Sequence, residues 1–188
     1  MGKLKQLDLG CGNIPRPVSD EYEIFGLDIA RVENPNVRQA DLAIEKIPFA
    51  NDEFNLVTAY DFMEHVPSFV YVSDYVQNVM MPSVKPRKIN SMINLWNEIH
   101  RVLMPDGEFY FVSPCYPHIG AFQDPTHVFF WTHESMHYFS GDYYGMHDHY
   151  GHTSKFELLQ NDVIEGRLHA RVRAIKPAEP PYNVGAVI

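Results

Sequence analysis

The residues that most constrain this chain are Leu4 to Gly12. A short apolar run, Leu4 to Leu9, stops at Gly10-Cys11-Gly12, which is how a buried parallel strand ends at a tight turn. Glycine at positions 10 and 12 permits backbone angles and a close approach that a side chain would block, so a ligand can lie against bare main chain at the strand tip. Ligands are delivered in this way at the carboxyl ends of strands in open α/β sheets, and the remaining sequence must then supply parallel partners for the first strand.

It does so in order. Glu23 to Asp28 is a second apolar run that ends in an acid, and Val37 to Ala40 a third that ends before Asp41. Phe54 to Ala59 reads as a fourth strand after the turn-like Asn51-Asp52. From Ser91 onward Met92, Leu95, Trp96, Ile99, Val102 and Leu103 recur at helical spacing, and Pro105-Asp106-Gly107 ends that helix before a fifth strand, Glu108 to Ser113. Alternation of helix and strand predicts a parallel sheet. Phe156 to Leu159 and Leu168 to Ile175, broken by Asn161-Asp162 and Glu165-Gly166, have no room for a crossover helix between them and predict a closing antiparallel hairpin. At 188 residues the chain suits one domain. We place it over 1–176, with an apolar insertion at 67–90, an aromatic and histidine-rich lid at 115–152, and a proline-rich tail at 177–188.

Leu7-Asp8-Leu9-Gly10-Cys11-Gly12 resembles the first motif of the class I S-adenosylmethionine-dependent methyltransferases, of the type 11-like group. Later segments match in sequence order: Asp28, Asp41-Leu42, Ile47-Pro48-Phe49, Phe54 to Val57, Glu64-His65-Val66, and Ile99 to Gly107. The resemblance covers residues 4–66 and 92–114, with a looser echo in 122–139. It implies an α/β fold, a doubly wound, mostly parallel seven-stranded Rossmann-like sheet with an antiparallel C-terminal hairpin, and S-adenosyl-L-methionine as cofactor. By the same resemblance Asp28 accepts hydrogen bonds from the ribose hydroxyls and Asp41-Leu42 meets the adenine. The implied cofactor site comprises Asp8, Gly10, Cys11, Gly12, Asp28, Ile29, Asp41, Leu42, Tyr60, Asp61 and His65. Two departures matter: Pro15 and Pro17 predict a short or missing first helix, and Asn13 stands where some members carry a third small residue. Pro15 also spoils the glycine pattern of nicotinamide-binding proteins, and with the second strand-tip acid at Asp41 it disfavours an oxidoreductase.

A sulfonium methyl is already activated, so such a protein needs mainly to align a nucleophile and exclude water. If the acceptor is a hydroxyl, a histidine or carboxylate can take its proton. On the loops past the strand ends Asp124, His127 and His133 are the catalytic candidates, in the Asp-Pro turn and short helix that echo the family. Thr132 is the expected cap of that helix, with Glu134 at its positive end. Seven of ten histidines fall between His118 and His152, but no cysteine or tight ligand motif accompanies them, so no metal site is expected. The two cysteines, Cys11 and Cys115, form no framework. A net charge of −9 repels polyanions, and the sequence shows no export or membrane signal. The expectation is a cytoplasmic enzyme that methylates oxygen or nitrogen of a small-molecule acceptor, with no nucleic-acid or membrane partner, its 67–90 insertion either capping the acceptor pocket or making a homodimer contact. The alternative is a non-catalytic subunit or sensor that binds the same cofactor.

Overall fold

A computed structural model describes residues 2–72, 75–76, 79–80, 87–140 and 150–177; the side chains of 73–86 are outside that description. Seven strands form the main sheet: β1 (Leu4–Leu9), β2 (Tyr22–Asp28), β3 (Val37–Gln39), β4 (Phe54–Tyr60), β5 (Leu103–Pro114), β6 (Phe156–Ile164) and β7 (Arg167–Ala174). Their order is β6-β7-β5-β4-β1-β2-β3, parallel from β5 through β3 and antiparallel at β7 and β6. The strand order reverses between β1 and β4, and at such a switch point the carboxyl ends diverge into a crevice.

Register divides the sheet into two chemically different faces. Phe25, Leu7, Val57, Phe109 and Val172 stand in one row across five strands, and Leu27, Leu9, Ala59, Phe111 and Ala170 in the next. This apolar face is covered by α1 (Ser91–Val102) and α2 (Ser135–Phe139). Trp96 of α1 is fully buried, stacks on Phe139 at 4.4 Å and meets Phe109 edge-on at 5.4 Å. The opposite face carries Gly26, Asp8, Thr58, Tyr110 and Arg171 in the intervening row.

No helix lies between β1 and β2, between β2 and β3, or between β3 and β4. Among the described residues the parallel sheet therefore has one full-length crossover helix, fewer than strict alternation of helix and strand implies. The first crossover, residues 10–21, is held as a loop by polar side chains of the sheet. Gln6 Nε2 donates to the Arg16 carbonyl (2.9 Å), and its Oε1 accepts from the Val18 amide (3.0 Å). Asp8 Oδ2 accepts from the Arg16 amide (2.9 Å), while Thr58 donates to Asp8 Oδ1 (2.8 Å) and accepts from Gln6 Nε2 (3.0 Å). All three side chains are buried. Prolines at 15 and 17 lack amide hydrogens, and the amides of Arg16 and Val18 find their partners on the strands. Farther across this face Arg16 lies over the Tyr60 ring and Arg171 over Tyr110, at 5.6 and 5.2 Å from the centroids.

Three boundaries differ from the sequence reading. The helix ends at Val102, and Leu103 through Gly107 belong to β5, with Asp106 at φ 61° making the turn inside the strand. Asn161-Asp162 does not break the chain: β6 carries it past an irregularity between Leu158 and Gln160, and the reversal falls at Glu165-Gly166, both at positive φ. Thr132 does not cap α2 through an amide, because its Oγ1 pairs with the Ser135 hydroxyl at 3.0 Å. The ends of the 67–90 insertion pair as an antiparallel ribbon, Val70–Val72 with Arg87–Ile89. The side chains at 73–86, on which the dimer expected there would depend, lie outside the described residues, as do His147, His149 and the tail from 178. Among the described residues no helix is long and apolar enough to cross a membrane.

The loop-holding network predicts the outcome of one isosteric change. Thr58→Val keeps the volume but takes the donor from Asp8 and one acceptor from Gln6. Stability measured by urea unfolding should fall by about 1–3 kcal/mol; an unchanged midpoint would mean that the loop holds itself.

Candidate functional site

The crevice at the switch point contains a cavity of about 290 Å³. Its floor is Gly10, and its walls come from the tips of β2 (Leu27, Asp28, Ile29), the segment after β3 (Ala40, Asp41, Leu42, Ala43) and the turn after β4 (Asp61, Phe62, His65, Val66). Gly10, at φ 65°, is required sterically: a Cβ there would lie 2.4 Å from the Phe62 ring. A Cβ added at Gly12 would meet nothing within 4 Å, so the turn is open toward solvent on that side. Asp28 joins the two strand tips, its Oδ2 accepting from the Gly12 amide (2.8 Å) and its Oδ1 from the Ala30 amide (2.8 Å). Asp41 Oδ1 accepts from the Ala43 amide at 3.0 Å.

Seven of the expected cofactor residues thus meet at one cavity: Gly10, Asp28, Ile29, Asp41, Leu42, Asp61 and His65. Four stand back from it. Asp8 is buried beneath the 10–21 loop, and burial pushes its carboxyl upward against the lowering bonds from the Arg16 amide and Thr58. Tyr60 lies on the polar face with Tyr110, at 6.0 Å between ring centroids. Cys11 packs toward Gly26, where an added Cβ would come within 2.5 Å of its sulfur, and Gly12 is fastened to Asp28. Phe62, Ala40, Ala43 and Val66 also line the wall and were not among the expected cofactor residues. Phe62 was the detectable one, since it sits between Asp61 and His65 and against the first glycine.

A second cavity, of about 380 Å³, adjoins the first and shares Asp61 and His65 with it. It is bounded by Glu64, His118, Gln123, Asp124, His127, Glu165 and Arg167 among others. Asp61, at φ 52°, is ion-paired with Arg167 of β7, which ties the β4 turn to the hairpin. The amides of Val128 and Phe129 donate to the Glu64 carbonyl (2.9 and 3.0 Å), bringing a segment sixty residues downstream against that turn. His127 Nε2 then lies 4.0 Å from Glu64 Oε1 and 3.9 Å from Asp124 Oδ2. The rings of His65 and His127 are 5.0 Å apart. Burial pushes the Glu64 carboxyl above the usual range, whereas the hydroxyl and amide of Thr126 hold the exposed Asp124 below it. His133 is not in this group: it is half exposed and its Nε2 is 3.1 Å from the Asn161 carbonyl oxygen.

No family model matches the sequence, and a search of curated proteins gives no relative. Solved structures do match. A Bacillus halodurans protein described as a methyltransferase superposes with a TM-score of 0.56 at 14% identity, covering 95% of this chain and 94% of its own. A SAM-dependent methyltransferase from Aquifex aeolicus gives 0.51 at 12% identity, covering 93% and 84%. The chain has the class I methyltransferase fold. The [4+2]-cyclase SpnF shares it too, with a TM-score of 0.56 at 13% identity over 93% of this chain and 75% of that one. A class I fold therefore leaves the reaction to be argued from the site.

The environment of the glycine turn has a chemical signature. Burial, with the carboxylates of Asp8 and Asp28 adding to it, pushes the Cys11 thiol up to about 11, and burial raises Cys115 as well. At pH 8 iodoacetamide should alkylate Cys11 about 10- to 100-fold more slowly than a free cysteine, with the rate still climbing above pH 9. Peptide-resolved labelling that shows fast modification at pH 8 would contradict the packing of residue 11 against Gly26.

Proposed function

We propose that the protein is an S-adenosylmethionine-dependent methyltransferase that holds its cofactor in the smaller cavity and a small-molecule oxygen or nitrogen acceptor in the adjoining one. The observation that carries this reading is the shared wall: Asp61 and His65 border both cavities, so two ligands could meet there with little water between them. The residues present suit the cofactor. A space of about 290 Å³ is of the order that holds a nucleoside, and the open side of Gly12 leaves room for an amino-acid end along bare main chain.

Each Asp28 oxygen already accepts one amide hydrogen bond but retains further lone pairs, which can take two sugar hydroxyls. Asp41 and the Leu42 backbone are placed for the adenine edge, and Ile29, Leu42 and Val66 supply apolar contact around it. Bound there, the sulfonium supplies an activated methyl group. On the acceptor side Glu64, Asp124 and His127 form the polar end of the larger cavity and would orient a nucleophile and draw off its proton. His133, bonded to the outer hairpin, has no part in this arrangement.

Calorimetry with S-adenosylhomocysteine is the direct test. The parent chain should bind one equivalent and should not bind NAD, and Asp28→Ala should weaken binding about 10- to 100-fold. Because Asp28 also fastens the glycine turn, Asp41→Ala is the companion variant, with a smaller loss expected. No binding by a folded parent, or undiminished affinity in both variants, would refute the reading. Transfer of radiolabelled methyl to a panel of small hydroxyl and amine compounds then identifies the acceptor class.

A further inference from the structure

Glu64 has a feature that the functional reading leaves unexplained. Its side chain is almost fully buried, and Oε2 accepts from the Ser113 hydroxyl at 2.8 Å, yet Oε1 has no hydrogen-bond partner among the described residues. A buried carboxylate oxygen without a partner is strongly unfavourable. His127 Nε2 faces it, but at 4.0 Å the two are too far apart to hydrogen-bond directly. Something between them would satisfy both.

The histidines are set for that role. His127 Nδ1 lies 3.3 Å from the Ala121 carbonyl oxygen, and His65 Nδ1 lies 3.2 Å from that of Thr126. A carbonyl can only accept, and the Thr126 hydroxyl, 3.1 Å from His65 Nδ1, gives its hydrogen to Asp124, so Nδ1 of each ring donates and in the neutral imidazole Nε2 keeps its lone pair. Imidazoles pinned in this way to main-chain carbonyls are the usual support of metal ligands. Glu64, His65 and His127 each bring one donor atom within 4.8 Å of the others, and Asp124 Oδ2 stands outside this group, 3.9 Å from His127.

We propose that Glu64, His65 and His127 bind a divalent transition-metal ion at the junction of the two cavities. Two nitrogens and a carboxylate oxygen suit zinc, manganese, iron or cobalt better than calcium. Bonds of about 2.1 Å in tetrahedral geometry place donors about 3.4 Å apart, so small side-chain rotations close the separations present here. The absence of a metal site expected from sequence spacing is revised by this grouping. Its ligands come as two short pieces, Glu64-His65 and His127, joined through the amides of Val128 and Phe129 and through Thr126 beside His65.

The purpose of the ion rests on the methyl-transfer reading, although its binding does not. Beside the acceptor cavity it would hold an acceptor oxygen and lower its pKa, so that the proton is lost to water and the anion could take the sulfonium methyl, the O–C bond forming as the S–C bond breaks and leaves its electron pair on sulfur as S-adenosylhomocysteine. The acceptor class is then a hydroxyl compound, and His127 serves as ligand while the ion is bound.

The test uses the full chain stripped with a chelator and titrated by calorimetry with Zn²⁺ or Mn²⁺, and with Co²⁺ followed by visible absorption. One equivalent should bind, and Glu64→Gln and His127→Ala should each weaken binding at least about 100-fold. Neither residue borders the cofactor cavity, so S-adenosylhomocysteine affinity in both variants should equal the parent's, which also verifies their folding. Metal binding without S-adenosylhomocysteine binding would sink the methyl-transfer reading and leave the ion site standing. Failure of the parent to bind any of the three ions, or undiminished binding in both variants, would overturn the site.

Discussion

The structure depends on the bonding of Gln6, Asp8 and Thr58 to the main chain of residues 16–18. A parallel strand normally has each face sealed by crossover helices, yet here the first crossover runs through two prolines and has no helix to offer. Three buried polar side chains from adjacent strands take up the loop's amides and one of its carbonyls. Every bond in the set has a partner, which is the condition under which a buried polar network adds rigidity instead of instability. Because the loop leaves β1 at the glycine turn and returns at β2, the same network sets where Gly10, Gly12 and Asp28 lie.

The consequences reach the site in a short chain of contacts. Asp28 fastens the turn from the far side through the Gly12 amide, and Phe62 closes on Gly10 where no side chain could stand. The β4 turn that carries Phe62 also carries Asp61, Glu64 and His65. Backbone bonds from Val128 and Phe129 to Glu64 bring the histidine-bearing loop onto it. A few hydrogen bonds and one ring contact thus place two cavities side by side, with no long lid helix between them among the described residues.

Much of this could be read from the residues. Apolar runs ending in glycine or an acid located four parallel strands, and the acids at 28 and 41 do border one cavity. The register of an alternating pattern, however, does not say what covers each face. Nothing local reveals that Asp8 and Tyr60 look toward the polar side, away from the crevice, or that Asn161-Asp162 continues a strand because the neighbouring β7 pairs with it. The grouping of Glu64 with His127 was equally invisible, since it arises from backbone bonds between segments sixty residues apart. Sequence spacing finds ligands that share an element; it misses those that a fold brings together.

The two sides of the sheet are held by different kinds of force. One is sealed by Trp96, Phe139 and Trp131 in an apolar layer, while over the other Arg16 and Arg171 lie on tyrosine rings and Arg171 and Arg173 pair with Glu108. Concentrated sulfate would tighten the first by exclusion and loosen the second by screening. Ionic conditions therefore act on this protein as opposing levers on the two faces of its sheet.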